Sequence, residues 1–271
     1  MLELRVLTAA VLAPLFVLAV FKLPAGWFAL LLALLVLPGA WEWTGLSGYP
    51  GRAQRAAGTA AAGLLMAAAY HFHVKLAEPL FIVTCVAWLV VSAALLQNRS
   101  TAPLNWPETA RWLSGAWVLV PAWLAVSELQ RVEPAAALML FLLVWSADSA
   151  AYFAGRSWGR RRLAPAISPG KTIEGMLGAL AAALVVAAVF LAWWRPEAGM
   201  AAGLALWSFF VVLVSIAGDL FESNWKRLGS VKDSGSLLPG HGGVLDRIDS
   251  MTAAAPFFAL GWLWWFGSIT A

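Results

Sequence analysis

A chain of 271 residues that is 62% hydrophobic and only 12% charged, with a mean hydropathy of +0.79, falls outside soluble globular domains, where about a quarter of residues are charged, and reads as a polytopic membrane protein. Its net charge of +4 and pI near 9.6 fit positive loops held on one side of a bilayer, so nucleic-acid binding is set aside. A single cysteine, Cys85, excludes an intrachain disulfide framework and a Cys-based metal motif.

The N-terminal run MLELRVLTAAVLAPLFVLAVF does not read as a cleaved signal peptide, because its charge is weak (Glu3, Arg5), no small-x-small site follows, and the apolar stretch is long enough to span. A hydrocarbon core of about 30 Å takes about 20 apolar residues. On that measure nine spans follow in order: Leu4 to Phe21, Trp27 to Leu46, Ala56 to Tyr70, Pro79 to Leu96, Trp112 to Leu129, Ala135 to Ala154, Met176 to Trp194, Gly199 to Phe221 and Met251 to Ile269. The third is short and rich in Ala and Gly. An N-terminus in the cytoplasm leaves only Lys22, Lys75, Arg131 and Arg195 outside among the 18 basic residues, a bias that supports this orientation and a C-terminus outside. The expected architecture is therefore an all-α membrane protein of about nine transmembrane helices. It forms one membrane domain, 1–271, softly divided into N-terminal helices (1–97) and a C-terminal half (98–271) that holds most of the charge.

Several features read as ordinary. The tryptophans near helix ends, among them Trp41, Trp43, Trp193, Trp194, Trp262, Trp264 and Trp265, read as interfacial anchors. His71 and His73 read as outer-side loop residues without a function, Glu128 as a solvated acid near an outer helix end, and the Asn98-Arg99-Ser100 sequon as meaningless on an inner side. Glu42, between Trp41 and Trp43, could be structural or functional.

Candidate chemistry gathers in the second half. Asp148 has small neighbours in Ser-Ala-Asp-Ser-Ala-Ala, which suits close packing around a polar cavity. The basic loop Gly155 to Glu174 follows, and its Gly170-Lys171-Thr172 is not a P-loop, since no strand precedes it and Pro165 stands where the first motif glycine would be. What remains is a lysine with hydroxyls (Ser168, Thr172) ahead of a helix, a phosphate clamp. Between Ser215 and Ser250 acids alternate with bases. Asp219 and Glu222, three apart, share a helical face, and two acids there imply a compensating cation or a wet cavity. Leu238-Pro239-Gly240-His241-Gly242-Gly243 is a turn leading into Asp246-Arg247-Ile248-Asp249, where glycines let main-chain N–H groups approach an anion and Arg247 offers a bidentate phosphate partner. Carboxylates beside phosphate binders suit Mg²⁺; capping of the last helix by Asp246 is the plainer alternative.

The string Ser223-x-x-Lys226-Arg227-x4-Lys232-Asp233-x-Gly235-x2-Leu238-Pro239-x-His241-Gly242-Gly243-x-x-Asp246-Arg247-Ile248-Asp249 resembles the signature of the phosphatidate cytidylyltransferases, or CDP-diacylglycerol synthases. Asp148 to Tyr152 and Ser168 to Gly175 are similar to the same family, and Trp225 departs from its usual smaller residue. The resemblance implies a multi-pass enzyme of a bacterial-type inner membrane, commonly a homodimer, that uses Mg²⁺, and leaves open a second cation, to make CDP-diacylglycerol and pyrophosphate from CTP and phosphatidic acid. Its site would face the cytoplasm. By that resemblance Asp219 and Asp246 would be metal ligands, joined by Asp249 and Asp148. Lys171, Lys226, Arg227, Lys232 and Arg247 would grip phosphates, and Ser168, Thr172, His241, Gly242 and Gly243 would complete the substrate contacts. The alternatives are a related CTP-dependent lipid cytidylyltransferase or kinase and, from another class, an ion-coupled transporter, which would carry its carboxylates near the midplane and often in paired repeats.

Overall fold

The computed structural model describes residues 13–101, 103–237 and 242–266. Over these the chain is a helical bundle: α1 (Ala13–Lys22), α2 (Ala25–Leu46), α3 (Arg52–His71), α4 (His73–Asn98), α5 (Glu108–Val132), α6 (Pro134–Trp158), α7 (Ile173–Trp194), α8 (Ala198–Leu228) and α9 (Leu245–Phe266). Among the described residues six helices, α2 and α4 to α8, are long and apolar enough to cross a membrane, and the protein is an all-α, multi-pass membrane protein.

Helices α5 and α9 form the centre. Residues 118–130 of α5 and 250–262 of α9 are buried on every side, as expected of helices apolar all round and enclosed by others. Around them pack α2, α4, α6 and α8. Helix α7 lies on α6 through small residues: Gly175 and Gly178 leave room for the α6 backbone at Ala150 and Ala151, the close approach that holds helices together where lipid supplies no hydrophobic drive. At Gly218 of α8 a Cβ would meet the Asp249 carbonyl oxygen at 2.6 Å, so this glycine is what lets α9 come against α8 beside two acids.

Several expectations change. The connection from α6 to α7 is not simple loop: β1 (Arg162–Ala164) and β2 (Ser168–Thr172) pair antiparallel, Arg162 opposite Thr172 and Ala164 opposite Ser168, with an irregularity between. Leu163, Ala164 and Ile167 are buried, which folds the basic ribbon back onto the bundle. Several tryptophans are core rather than anchors: Trp43, Trp88, Trp123, Trp225 and Trp262 are buried, whereas Trp193 and Trp264 are exposed. Five aromatic rings, those of Trp43, Trp88, Trp106, Trp117 and Trp225, surround Phe221 of α8 with centroid distances of 4.9 to 6.0 Å. Trp225, the departure from the resembled signature, is buried against Trp106 and Phe221.

The polar end away from this cluster also differs from expectation. Glu128 is 2% exposed because it lies on the central helix α5. It accepts from Arg131 Nη2 at 2.8 Å and lies 3.0 Å from His73 Nδ1. His71 ends α3 and His73 opens α4, so neither is a loop residue; His73 belongs to this buried charged group.

Candidate active site

Helix α8 has 31 residues, about 46 Å at 1.5 Å per residue, against a hydrocarbon core of about 30 Å. The helix is therefore longer than the apolar layer is thick, and its last turns carry Asp219, Glu222, Ser223, Asn224, Lys226 and Arg227. The ribbon and the start of α9 converge on this end.

The ribbon is fixed from three directions. Arg227 Nε donates to the Ile167 carbonyl at 3.0 Å, and Ala166 N donates to the Arg99 carbonyl at 3.0 Å. Glu174 Oε2 accepts from the Arg160 and Arg161 amides at 3.0 and 3.2 Å. Thr172 ends β2 and caps α7, its hydroxyl accepting from Gly175 N at 3.0 Å, which satisfies one amide that the first helical turn leaves without a partner. Held in this way, β2 presents Lys171 Nζ 2.5 Å from Asp219 Oδ2.

Around that pair lies the first of two polar groups. Ser223 Oγ donates to Asp219 Oδ1 at 3.2 Å, and Ser250 Oγ of α9 donates to Asp148 Oδ1 of α6 at 3.2 Å. Asp148 and Asp249 both interact electrostatically with Asp219 and with Lys171. Acids drawn from three helices thus gather around one ammonium, a partly dry cluster of oxygen ligands that a further cation would stabilise.

The second group is built on Lys226. Its Nζ donates to Glu222 Oε2 at 2.9 Å and to Asp246 Oδ1 at 2.7 Å. The other oxygen of Asp246 accepts from Ser234 N at 3.0 Å, Ser234 Oγ at 3.1 Å and Gly243 N at 2.8 Å. Asp246 therefore does organise the entry to α9, as the plainer capping reading had it, and it does so while bound to the lysine. Gly242, at φ +83°, occupies the left-handed region that glycine adopts without strain. Glu222 interacts with Asp246 and Asp249 and so joins the two groups.

The sequence-derived residues are placed as follows. Asp148, Lys171, Asp219 and Asp249 come together; Lys226, Asp246 and Gly243 come together beside them. Arg227 and Thr172 are engaged by the ribbon and the α7 cap. Ser168 begins β2 and is half-buried, whereas Lys232 and Arg247 are exposed. His241 lies outside the described residues. Asp219 and Asp246 are each held by a different lysine, and among the described residues no three or more His, Cys, Asp or Glu side chains are disposed to hold a metal ion.

Three contributors escape sequence reading, and a fourth, Glu42, reads there as structural or functional. Ser234 and Ser250 hydrogen-bond to acids, and the only signal was a hydroxyl directly following an aspartate. Asn224 is fully buried and makes a paired bond with the Leu104 backbone, 2.6 Å from N–H to Oδ1 and 2.9 Å from Nδ2 to the carbonyl. An amide between Phe221 and Trp225 at helical spacing was the available hint. Glu42 of α2 reaches the entry to α9: Val244 N donates to Oε1 at 3.0 Å, and Leu245 N and Ser234 Oγ donate to Oε2 at 2.9 Å each.

Comparison with known proteins adds an independent line. The model of the cytidylyltransferase family matches residues 3–264. The chain is 40% identical over 269 residues to a phosphatidate cytidylyltransferase of Pseudomonas aeruginosa, covering 96% of each chain. It is 35% identical over 285 residues to one of Haemophilus influenzae, covering 96% of this chain and 98% of that one. One of Bacillus subtilis is 44% identical over 123 residues, 43% of each chain.

Proposed function

The chain belongs to the cytidylyltransferase family, and we propose on that basis that it transfers CMP from CTP to phosphatidic acid, releasing pyrophosphate and forming CDP-diacylglycerol. It is a nucleotidyltransferase within a multi-pass membrane protein. One observation carries the assignment of the site: the Lys171 to Asp219 pair, set among Asp148 and Asp249 at the end of α8.

The reaction requires little of the protein by way of covalent chemistry. A phosphate oxygen of the lipid attacks the α-phosphorus of CTP, the bond from that phosphorus to the oxygen bridging it to the β-phosphate breaks, and pyrophosphate departs. Two anions must therefore be brought together, aligned and relieved of repulsion. In this reading Lys171 and Lys226 exchange carboxylate partners for substrate phosphates, with Arg247 and Lys232 reaching the outer phosphates. Arg227 and Thr172 act at one remove, by holding the ribbon that presents Lys171.

The donor set fits Mg²⁺. That ion is usually held by one or two carboxylates plus substrate phosphates rather than by a closed protein cage, and hard carboxylate oxygens without a three-acid cage are what these residues offer. Asp219 and Asp249 would hold it, with Asp148 beside them and Asp246 available to a second cation. When bound, the ion would neutralise phosphate charge and polarise the phosphoryl oxygens.

We place the protein in a bacterial inner membrane with this site facing the cytoplasm. Support comes from the basic residues gathered around it, Arg156, Arg160 to Arg162, Lys171, Lys226, Arg227, Lys232 and Arg247, and from the supply of CTP on that side. The proposed assembly is a homodimer, for which family resemblance is the support. The decisive experiment incubates purified protein with labelled CTP, phosphatidic acid and Mg²⁺ and follows pyrophosphate and CDP-lipid. Absence of product across lipid and metal conditions would remove the assignment.

A further inference from the structure

We infer that Glu42 is a positioning residue for the transfer site, holding from α2 both Ser234 and the start of α9 that presents Asp246. The inference rests on the proposed reaction for its catalytic consequence and on geometry for its placement.

Glu42 is 2% exposed, and both its oxygens are used. Val244 N donates to Oε1 at 3.0 Å, and Leu245 N and Ser234 Oγ donate to Oε2 at 2.9 Å each. Its partners are therefore the amides at the start of α9, where the helix dipole favours negative charge, and the hydroxyl of Ser234.

Ser234 is the connecting piece. The same hydroxyl lies 3.1 Å from Asp246 Oδ2, and the Ser234 amide donates to that oxygen at 3.0 Å. Glu42 and Asp246 thus clasp one serine between them, and the far oxygen of Asp246 meets Lys226. The space is tight: a Cβ at Gly243 would collide with Ser234 and Glu42, and one at Gly235 would collide with Glu42. A carboxyl placed so closely against Gly235 and Gly243 fixes Ser234 and the α9 entry against α2. Loss of it frees the Val244 and Leu245 amides and loosens the side of Asp246 that faces away from Lys226. Among the described residues the hydrogen bonds of Glu42 go to Ser234, Val244 and Leu245 and to none of the basic residues proposed to grip phosphate, so it acts through Ser234 and the α9 entry.

The test compares the full-length wild type with Glu42→Gln, Glu42→Ala, Ser234→Ala and the double variant Glu42→Gln/Ser234→Ala, all in detergent with phosphatidic acid. Displacement of a supporting group by about an ångström lowers turnover on the order of 10- to 100-fold. Glu42→Ala should fall in that range in kcat per folded molecule, with the KM for phosphatidic acid within about twofold of wild type, as expected of a group that orients rather than binds. Glu42→Gln, which keeps an acceptor oxygen, should lose less. The double variant should lose less than the product of the two single losses, because both act through one contact.

Amide hydrogen exchange supplies a readout independent of turnover: Val244 and Leu245 should exchange faster in the Glu42 variants while the centre of α5 is unchanged. Either of two results overturns the inference. One is a Glu42→Ala protein with wild-type kcat and wild-type exchange at 244–245; the other is a rate that falls only in proportion to unfolded protein. If Glu42→Ala does not fold, Glu42→Gln and Ser234→Ala carry the same comparison. A wild type that makes no CDP-lipid counts against the proposed reaction, and the exchange arm still decides the role of Glu42.

Discussion

Lys171 of the ribbon sets its ammonium 2.5 Å from the Asp219 carboxylate of α8, so a strand folded onto the bundle reaches an acid near those of two other helices. The side chains are about one quarter exposed, 23% and 27%, which leaves the pair reachable by a substrate anion or a cation. Asp219→Asn removes the charge without the shape. It should lower turnover by about 100- to 1,000-fold, the scale for loss of one electrostatic stabiliser, with an unchanged size-exclusion profile. A variant retaining near-normal kcat would take Asp219 out of the site.

Lys226 holds two acids that are almost dry, Glu222 and Asp246, at 2% and 10% side-chain exposure. Breaking a buried pair by removing one partner costs about 3 to 5 kcal/mol, because the remaining charge is uncompensated. Lys226→Met should therefore lower the melting temperature in detergent, and adding Glu222→Gln should recover part of that loss without recovering activity. Melting and turnover measured on the single and double variants separate the two effects.

Phe221 supports the same helix from its apolar side, enclosed by five aromatic rings. Phe221→Ala should cost about 3 to 5 kcal/mol, read as a fall in thermal stability, with kcat per folded molecule lowered as α8 shifts. Phe221→Leu, which keeps most of the volume, should sit between the two.

Thr172 offers a test of whether a hydroxyl serves the fold or the substrate. As the cap of α7, its replacement by Ala should cost about 1 kcal/mol of stability, Thr172→Ser should restore it, and the KM for CTP should stay within about twofold in both. A large rise in that KM in Thr172→Ala alone would assign the hydroxyl to CTP.

Chelation tests the metal. EDTA should abolish turnover and added Mg²⁺ restore it, since the acids gathered at the end of α8 are hard oxygen ligands. Full activity in EDTA would show that Lys171 and its neighbours manage the phosphate charge alone.

The charged end of α8 was legible because aspartates and lysines cannot lie in a hydrophobic run without partners, so their sequence position alone marks them. The ribbon was not, since Ser168 to Thr172 has no alternation of apolar and polar residues and pairs through backbone. Glu128 reads as solvated from its place near a helix end; only the packing of α5 at the centre of the bundle makes it buried. Glu42 stayed undecided for a different reason: its partners lie 192 to 203 residues further along the chain, and no local pattern reports a contact of that range.

That separation bears on how the protein is made. Chains are synthesised at about 5 to 20 residues per second, so Glu42 would enter the membrane with α2 some 10 to 40 seconds before Val244 leaves the ribosome. During that interval its carboxyl has to be accommodated by water, lipid headgroups or a helper at the insertion machinery. The contacts of Glu42, Lys226 and Asp148 with residues 244–250 can form only after α9 arrives.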